Sequence, residues 1–180
     1  MLQGLPARIA DDCRVLVLGS MPGVASLQQA RYYAHPRNRF WPLMGGLLGI
    51  DPQAAYEQRV SALLCAGVGL WDVIGQCRRA GSLDAAIVRG SIVANPLSAR
   101  IATLPALRAI ACNGAEAYRA WMRWIAPALP AGPQAPVVLA LPSTSPANAA
   151  FSQARLAADW GAMSGFLRPA AESRAGRNGG

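Results

Sequence analysis

Four short apolar segments constrain the fold more than any other feature of this chain. The segments are Arg14–Gly19, Gly67–Val73, Leu107–Cys112 and Val137–Leu141. They are short, apolar almost throughout and rich in aliphatic residues, and three of them run directly into turn-forming residues. We therefore predict four strands that are buried on both faces, as the strands of a parallel sheet are.

Segments with helical periodicity lie between and after these strands. They are Arg39–Leu48, Ala54–Ala66, Ala115–Ile125 and Phe151–Phe166. Apolar stripes on the last two are expected in the core, and they consist of Tyr118, Trp121, Met122 and Ile125, and of Leu156, Trp160 and Met163. Strands alternating with helices predict an α/β fold, a three-layer α/β/α sandwich around a mostly parallel four-stranded sheet. We expect a single domain over residues 1–169 and a disordered tail over residues 170–180.

The basic and sulfur-containing residues exclude several kinds of site. All 17 basic residues are arginine, so lysine Schiff-base chemistry and a P-loop, which needs a phosphate-binding lysine, are excluded. The single histidine, His35, excludes a metal site built on several histidines. The cysteines Cys13, Cys65, Cys77 and Cys112 form no CxxC pair, so we expect buried free thiols in a reducing compartment. No metal and no cofactor is predicted.

The chain is strongly basic, with a formal net charge of +8. This charge is typical of a nucleic-acid-binding protein, and a merely solvated surface in an arginine-rich proteome is the alternative. No apolar run reaches the roughly 18–20 residues that a membrane span needs. The first residues show no secretory signal, so the cytoplasm is the expected location, with association to the nucleoid following from a DNA substrate.

Two loops that follow predicted strands are expected to meet at one edge of the sheet. The first, Gly19-Ser20-Met21-Pro22-Gly23, offers backbone N–H groups for a ligand or is simply a tight turn. The second runs from Pro142 to Asn148 and offers hydroxyl and amide groups, or it is a helix entry with Asn148 or a neighbour as its N-cap. Ligands of open α/β sheets bind outside the carboxyl ends of the strands, where both loops lie. Of the nine acids, Asp72 is the most site-like, because it ends a strand beside the same edge.

The segment from Tyr32 to Trp41 is dense in groups that bind nucleic acids. It reads YYAHPRNRFW and holds four aromatic residues, two arginines, one histidine and one asparagine. Aromatic faces stack on bases, and arginines bind phosphates. A helix start explains Phe40 and Trp41 as core residues, but it leaves Tyr33, His35 and Asn38 unexplained.

Together these motifs resemble the uracil-DNA glycosylase superfamily, and most closely its hypoxanthine-DNA (deoxyinosine) glycosylase branch. The resemblance rests on GSMPGVASLQQARYYAHPRNRFW, GLWDVIGQCRRAGSLDAAI, the CNG at Cys112–Gly114 and LPSTSPAN, and it extends from about Arg14 to Phe166. The mismatch-uracil branch carries an asparagine where this chain has Met21, which argues against that branch's mechanism. The iron–sulfur branches need four clustered cysteines, which this chain lacks.

The resemblance implies a role for each matching residue. It makes Asn38 the catalytic residue and Tyr33 the ring that stacks on the extruded base. The other residues expected to bind the base are Gly19, Ser20, Met21, Pro22, Gly23, His35 and Asn113. The residues expected to contact DNA are Arg37, Arg39, Pro142, Ser143, Thr144, Ser145, Pro146 and Asn148. His35 either acts as an acid or braces its loop, and bracing is favoured.

The function implied is that of a monofunctional DNA glycosylase. It would extrude a deaminated base, hypoxanthine in deoxyinosine, and hydrolyse the N-glycosidic bond in base excision repair. The expected partner is duplex DNA, with single-stranded DNA as a second form, and the protein is expected to act as a monomer away from membranes. One alternative is a mismatch-specific uracil-DNA glycosylase, and a second is a damage-binding module without turnover.

Overall fold

A four-stranded parallel sheet forms the centre of the computed structural model, which describes residues 1–130, 132 and 135–167. Its strands are β2 (Val15–Gly19), β3 (Val68–Asp72), β6 (Ala109–Asn113) and β7 (Val137–Leu141), in the spatial order β3-β2-β6-β7. All three neighbouring pairs are parallel, and Val17 lies opposite both Leu70 and Ala111. The predicted strands and α/β class are confirmed.

Alternate residues of β2 face two different helical layers. Val15 and Val17 pack with α2 (Phe40–Leu48), α3 (Tyr56–Cys65) and α6 (Gln153–Trp160). Leu16 and Leu18 pack with α4 (Leu97–Ala102) and α5 (Ala115–Ala120). Because successive side chains of a strand point to opposite faces, an all-apolar strand supplies both cores of the three-layer sandwich.

A second, smaller sheet was not predicted from the sequence. It is antiparallel, in the order β1-β4-β5, with β1 (Leu2–Gln3), β4 (Ile74–Cys77) and β5 (Val93–Ala94). Its short strands carry too little alternation to be detected by periodicity. Ile74 and Cys77 of β4 pack with Met21, so this sheet supports the loop that follows β2.

Two predicted helices change character, and one predicted core residue is exposed. The helix that starts at Ala115 continues as a π-helical turn over Trp121–Ile125, and the last helix starts at Gln153 and ends as a 3₁₀ turn over Gly161–Phe166. Ser152 accepts a hydrogen bond from the Arg155 N–H and caps the last helix, so Asn148 is not its N-cap. Met122, which lies in the π-helical turn, is exposed rather than buried.

The remaining sequence-based expectations have mixed outcomes. Cys13, Cys77 and Cys112 are buried free thiols, as expected, but Cys65 is exposed at the end of α3. The short helix α1 (Val24–Gln29) follows the first loop and was not predicted. The domain end at residue 169 and the tail over residues 170–180 lie outside the described residues. No helix of the described part of the chain is long and apolar enough to cross a membrane.

Candidate active site

A cavity of about 160 Å³ lies at the carboxyl edge of the parallel sheet, and we call it the base cavity. It brings together most of the residues that the sequence singled out. These are Gly19, Ser20, Met21, Pro22, Gly23, Tyr33, His35, Asn38, Asp72, Asn113, Ser143, Thr144, Ser145 and Pro146. The prediction that the two loops share one cleft is confirmed, while the roles of the residues in binding and catalysis stay predictions.

A buried arginine holds the first loop by hydrogen bonds to its backbone. Arg79 is only 9% exposed, and its guanidinium donates hydrogen bonds to the carbonyl oxygens of Met21 (3.3 Å) and Pro22. Its Nε donates to the Gly81 carbonyl at 3.0 Å. Sequence reasoning missed this residue, because an arginine after a strand carries no signal of its own. Arg79 fixes the path of this loop and places a positive charge next to the backbone of Met21 and Pro22, which line the cavity.

Asp72 forms part of the cavity at the end of β3, where Gly19 of β2 makes room for it. A Cβ atom at position 19 would lie 2.3 Å from Asp72 Oδ1, so a larger residue there would force this carboxyl to move. Asp72 is 4% exposed, and its Oδ2 is buried without a hydrogen-bond partner. Burial raises the pKa of Asp72 to about 7, and the charge of Asp84 adds to this, while Tyr32 and Arg79 act in the opposite direction.

A second carboxyl of the same cavity, that of Asp84, has a hydrogen-bond partner. The Ser20 hydroxyl donates a hydrogen bond to Asp84 Oδ1 at 2.8 Å. Burial raises the pKa of Asp84, and the hydrogen bond from Ser20 lowers it. The cavity therefore holds two carboxyls, and among the described residues Asp72 Oδ2 is the carboxylate oxygen that is fully buried without a hydrogen-bond partner.

Tyr33 combines a strained backbone with a well-packed ring. Its φ of 56° lies in the left-handed region, which a tyrosine adopts only when its surroundings enforce it. The ring stacks on Phe40, with centroids 4.0 Å apart and an interplanar angle of 25°. Its hydroxyl is buried without a partner, and burial raises its pKa. Because the ring also borders the base cavity, Tyr33 remains a candidate for stacking on a base.

The segment after Tyr33 folds back on itself and presents Asn38 to the cavity. The Asn38 N–H donates to the His35 carbonyl at 2.8 Å, and Asn38 Oδ1 accepts a hydrogen bond from the Phe40 N–H at 3.0 Å. Within the described part of the chain, Asn38 Nδ2 makes no hydrogen bond, so the amide presents its donor side. His35 Nδ1 accepts from the Arg37 N–H at 3.1 Å, a contact that braces this turn.

The second loop is held by Asn113 through a pair of hydrogen bonds. Asn113 Oδ1 accepts from the Thr144 N–H at 2.9 Å, and Asn113 Nδ2 donates to the Thr144 hydroxyl at 3.0 Å. Asn113 lines the base cavity and also holds this loop, and its predicted contact with the base stays a prediction. Thr144, predicted to contact DNA, is completely buried and serves the same internal contact.

Arg39 also holds the second loop through its side chain, while its predicted contact with DNA stays a prediction. Its guanidinium donates to the carbonyl oxygens of Asn148 (2.8 Å) and Phe151. Asn148 itself donates to the Ser143 carbonyl at 2.9 Å, and the Pro142 carbonyl accepts from Trp160 Nε1 at 3.0 Å. These three predicted DNA contacts therefore shape the loop, because the irregular backbone needs partners for its carbonyls.

The other predicted DNA contacts are accessible to different degrees. Arg37 is exposed, while Ser143, Ser145 and Pro146 line the base cavity and are half-buried. In the described part of the chain, no group of three or more histidine, cysteine, aspartate or glutamate residues is placed to hold a metal ion.

Comparison with known proteins places this geometry in a family. Residues 6–163 match the model of the uracil DNA glycosylase superfamily. A hypoxanthine DNA glycosylase of Methanosarcina acetivorans is 35% identical over 164 residues, which are 89% of this chain and 96% of that protein. A protein of the same name from Methanosarcina barkeri is 38% identical over 113 residues, 62% of this chain and 70% of that protein.

A solved structure agrees with these sequence matches. It is the solution NMR structure of a Methanosarcina acetivorans protein described as a candidate uracil DNA glycosylase. It superposes with a TM-score of 0.71 at 34% identity and covers 89% of this chain and 94% of that one. The shared fold and the family match over most of the length lead to one conclusion: the chain belongs to the uracil DNA glycosylase superfamily.

Proposed function

We propose that this DNA glycosylase releases hypoxanthine from deoxyinosine in DNA by hydrolysing the N-glycosidic bond. The name of the two Methanosarcina relatives supports this substrate. The observation that carries the proposal is the buried, unpaired Oδ2 of Asp72, a residue that lines the base cavity. A base within a duplex cannot reach such a cavity, so the target nucleotide must be extruded.

Deamination inverts the hydrogen-bonding edge that the base presents. In adenine, N1 is an acceptor and the exocyclic amine is a donor. In hypoxanthine, N1 carries a hydrogen and the exocyclic oxygen is an acceptor. A buried group that can only accept a hydrogen bond therefore distinguishes the two bases at N1.

Once it is ionised, above its pKa of about 7, the carboxylate of Asp72 is such an acceptor. With hypoxanthine in the cavity, Oδ2 accepts from N1–H, and its desolvation is compensated. With adenine, Oδ2 faces a lone pair and stays unpaired. Sites that leave a buried polar group unpaired reject the wrong substrate strongly, since that group forfeits its hydrogen bond.

Asn38 is placed to act on the departing base. Breaking the bond from the base nitrogen to C1′ leaves its electron pair on the base and positive charge on the sugar. Because Asn38 Oδ1 is held by the Phe40 N–H, its free Nδ2 is the group that donates to the base as negative charge develops. A water molecule then forms the new bond to C1′, and its proton is lost to solvent or to the base.

The nucleophile is water in this proposal, because the chain has no lysine to attack the sugar. His35 braces the turn that carries Asn38, through the hydrogen bond from Arg37 to its Nδ1. The product is therefore an intact strand with an abasic site.

A single-turnover assay tests the proposal. Three duplexes carry deoxyinosine, deoxyuridine or deoxyadenosine at the same position, and the released base is quantified. We expect release from deoxyinosine, none from deoxyadenosine, and a loss of about 100-fold or more in Asp72→Ala. Asp159→Asn is the matched control, because it changes an exposed carboxyl outside both cavities.

The other outcomes separate the alternatives. Uracil also carries a ring N–H beside a carbonyl, so faster release from deoxyuridine would favour a uracil-specific enzyme. Tight binding to the deoxyinosine duplex without release of any base would indicate a damage-binding module. Either result would overturn the proposed substrate or the proposed activity.

A further inference from the structure

A second cavity, of about 200 Å³, shares a wall with the base cavity. Tyr32, Tyr33, His35 and Asn38 line both. The rest of the second cavity includes the side chains of Arg31 and Arg59 over an aromatic platform formed by Trp41 and Tyr56. We call this second cavity the arginine groove.

The two arginines of the groove lie on the aromatic platform. The Arg59 guanidinium carbon is 4.6 Å from the centroid of Trp41 and 5.9 Å from that of Tyr56. The Arg31 guanidinium carbon is 5.6 Å from the same Tyr56 ring. Stacking orients a guanidinium plane without using its N–H donors.

Neither guanidinium has a carboxylate partner within 4 Å in the described part of the chain. The ion pairs found there join Arg8 to Glu57, Arg100 to Asp11 and Arg119 to Glu116. Arg59 Nε is buried and has no hydrogen-bond partner. Burial and the neighbouring charge of Arg31 both lower the pKa of Arg59, while Tyr56 and Asp51 act in the opposite direction. An anion bound between the two arginines would relieve this repulsion and satisfy their donors.

The aromatic platform is also hydrogen-bonded to Tyr32, at the start of the segment that leads to Asn38. Tyr56 accepts a hydrogen bond from the Tyr32 N–H at 2.9 Å, and Trp41 Nε1 donates to the Tyr32 carbonyl at 3.1 Å. Both backbone groups of Tyr32 are thus held by the platform. The next residue is Tyr33, whose strained backbone borders the base cavity. A ligand in the groove therefore sits on the same rigid support as the residues that meet the base.

We propose that the arginine groove binds a backbone phosphate of the DNA strand that carries the extruded nucleotide. The inference rests on the DNA glycosylase function, which supplies a strand with a phosphate on each side of the target. Arginine presents several N–H donors in a planar fork that matches phosphate oxygens. The shared wall keeps this phosphate close to the nucleotide in the base cavity, so the same strand supplies both.

The salt dependence of DNA binding tests the phosphate contact. Affinity is measured by fluorescence anisotropy on a duplex with a stable abasic-site analogue, so that no base release is needed. We expect Arg59→Gln and Arg31→Gln each to weaken binding about tenfold and to lower the slope of log affinity against log salt by about 1. Arg123→Gln is the matched control, since Arg123 stacks on Trp124 at 5.7 Å outside both cavities and should leave the slope unchanged.

A conservative variant separates charge from packing. Arg59→Lys keeps the positive charge but loses the stacked fork, so it should retain the slope of the wild type. If Arg59 only supports the aromatic platform, Arg59→Lys and Arg59→Gln should instead lower thermal stability together and leave the slope unchanged. That result would overturn the proposal.

Substituted DNA then locates the phosphate. A single uncharged methylphosphonate is moved along the strand that carries the abasic analogue. At one position near that site it should weaken wild-type binding about tenfold but have no further effect on Arg59→Gln. Equal losses in both proteins at every position would contradict the groove as a phosphate site. Because binding is measured without base release, such a failure is distinct from an absence of activity on deoxyinosine.

Discussion

The base cavity and the arginine groove share four residues but differ in the groups that they offer a ligand. The base cavity includes the carboxyls of Asp72 and Asp84, while the groove is lined by the guanidinium groups of Arg31 and Arg59. Hydrogen-bond acceptors buried in a cavity select by the edge of a base, and cations on a surface attract any phosphate. This difference suits the base cavity to the selection of a base and the arginine groove to the attachment of the DNA backbone.

Unsatisfied polar atoms mark both cavities. Four buried side-chain nitrogen or oxygen atoms of the described residues have no hydrogen-bond partner. Three of them, Tyr33 Oη, Asp72 Oδ2 and Arg59 Nε, belong to residues that line at least one of the two cavities. Native proteins rarely leave such atoms unpaired, because each one lowers stability. Their concentration here is expected of a molecule that is completed by its ligand.

The largest expected effect concerns the stability cost of Asp72. Its pKa is about 7 in the folded state, against an ordinary 3.8. Between these two pH values the folded state holds a proton that the unfolded state has lost. This contribution to stability is present below pH 4 and disappears as the pH rises to about 7. The free energy at stake is about 4 kcal/mol. Asp72→Asn removes the cost of ionisation, so it should stabilise the protein at pH 8 and have little effect at pH 4.

Denaturant unfolding at both pH values measures this prediction. The gain at pH 8 is at most about 4 kcal/mol, since the new amide adds a buried donor of its own. Asp159→Asn is a control for general charge effects, because it changes a carboxyl outside both cavities. If Asp72→Asn were destabilising at pH 8, the carboxylate would have a partner in the folded protein, and its role as a free acceptor would fail.

The next effect tests catalysis in the base cavity. Asn38→Ala should lower the single-turnover rate of base release about 10²- to 10³-fold while DNA affinity stays nearly unchanged, because the amide acts as charge develops. The variant also loses the hydrogen bond to the Phe40 N–H, which should cost about 1 kcal/mol of stability. Gln53→Ala, which removes an amide of the groove alone, should leave the rate unaltered. An undiminished rate in Asn38→Ala would exclude this residue from the chemistry.

The sequence predicted the scaffold and the position of the site well. The strands of the parallel sheet are apolar on both faces. Each is therefore a continuous apolar run, which can be recognised in the sequence without knowing its partners. Residues that end these strands converge at one edge by topology alone, which is why Gly19 and Asp72 could be placed together before their contact was known.

The roles of individual polar residues were less predictable. Arg39, Thr144 and Asn113 were assigned to DNA or to the base, and their further role in holding the second loop was not predicted. The same donors serve a phosphate or a carbonyl oxygen, and only the path of the backbone decides between them. Arg79 and the small antiparallel sheet escaped prediction for a related reason, because their partners are distant in sequence.

Tyr33 lines both cavities, and two variants of it distinguish the role of its ring from the role of its hydroxyl. Tyr33→Ala should weaken binding to a deoxyinosine duplex by about 1–3 kcal/mol, because a base loses its stacking partner. Tyr33→Phe keeps the ring and removes only a buried hydroxyl without a partner, so it should bind as well as the wild type and be no less stable. Competition binding and thermal melts measure both. A loss of stability in Tyr33→Ala with no loss of binding would make the ring part of the core alone.

The last prediction is a negative result, and it concerns the nucleophile. Glycosylases that also cleave the strand commonly use an amine that forms a Schiff base with the sugar. The cations of the arginine groove are guanidinium groups, which stay protonated and cannot attack, and the whole chain has no lysine. Borohydride added during turnover should therefore trap no covalent adduct between protein and DNA, and the strand should stay intact until alkali is added. An adduct that survives denaturing electrophoresis would require the α-amine at Met1 to reach the sugar, and it would remove water from the proposed mechanism.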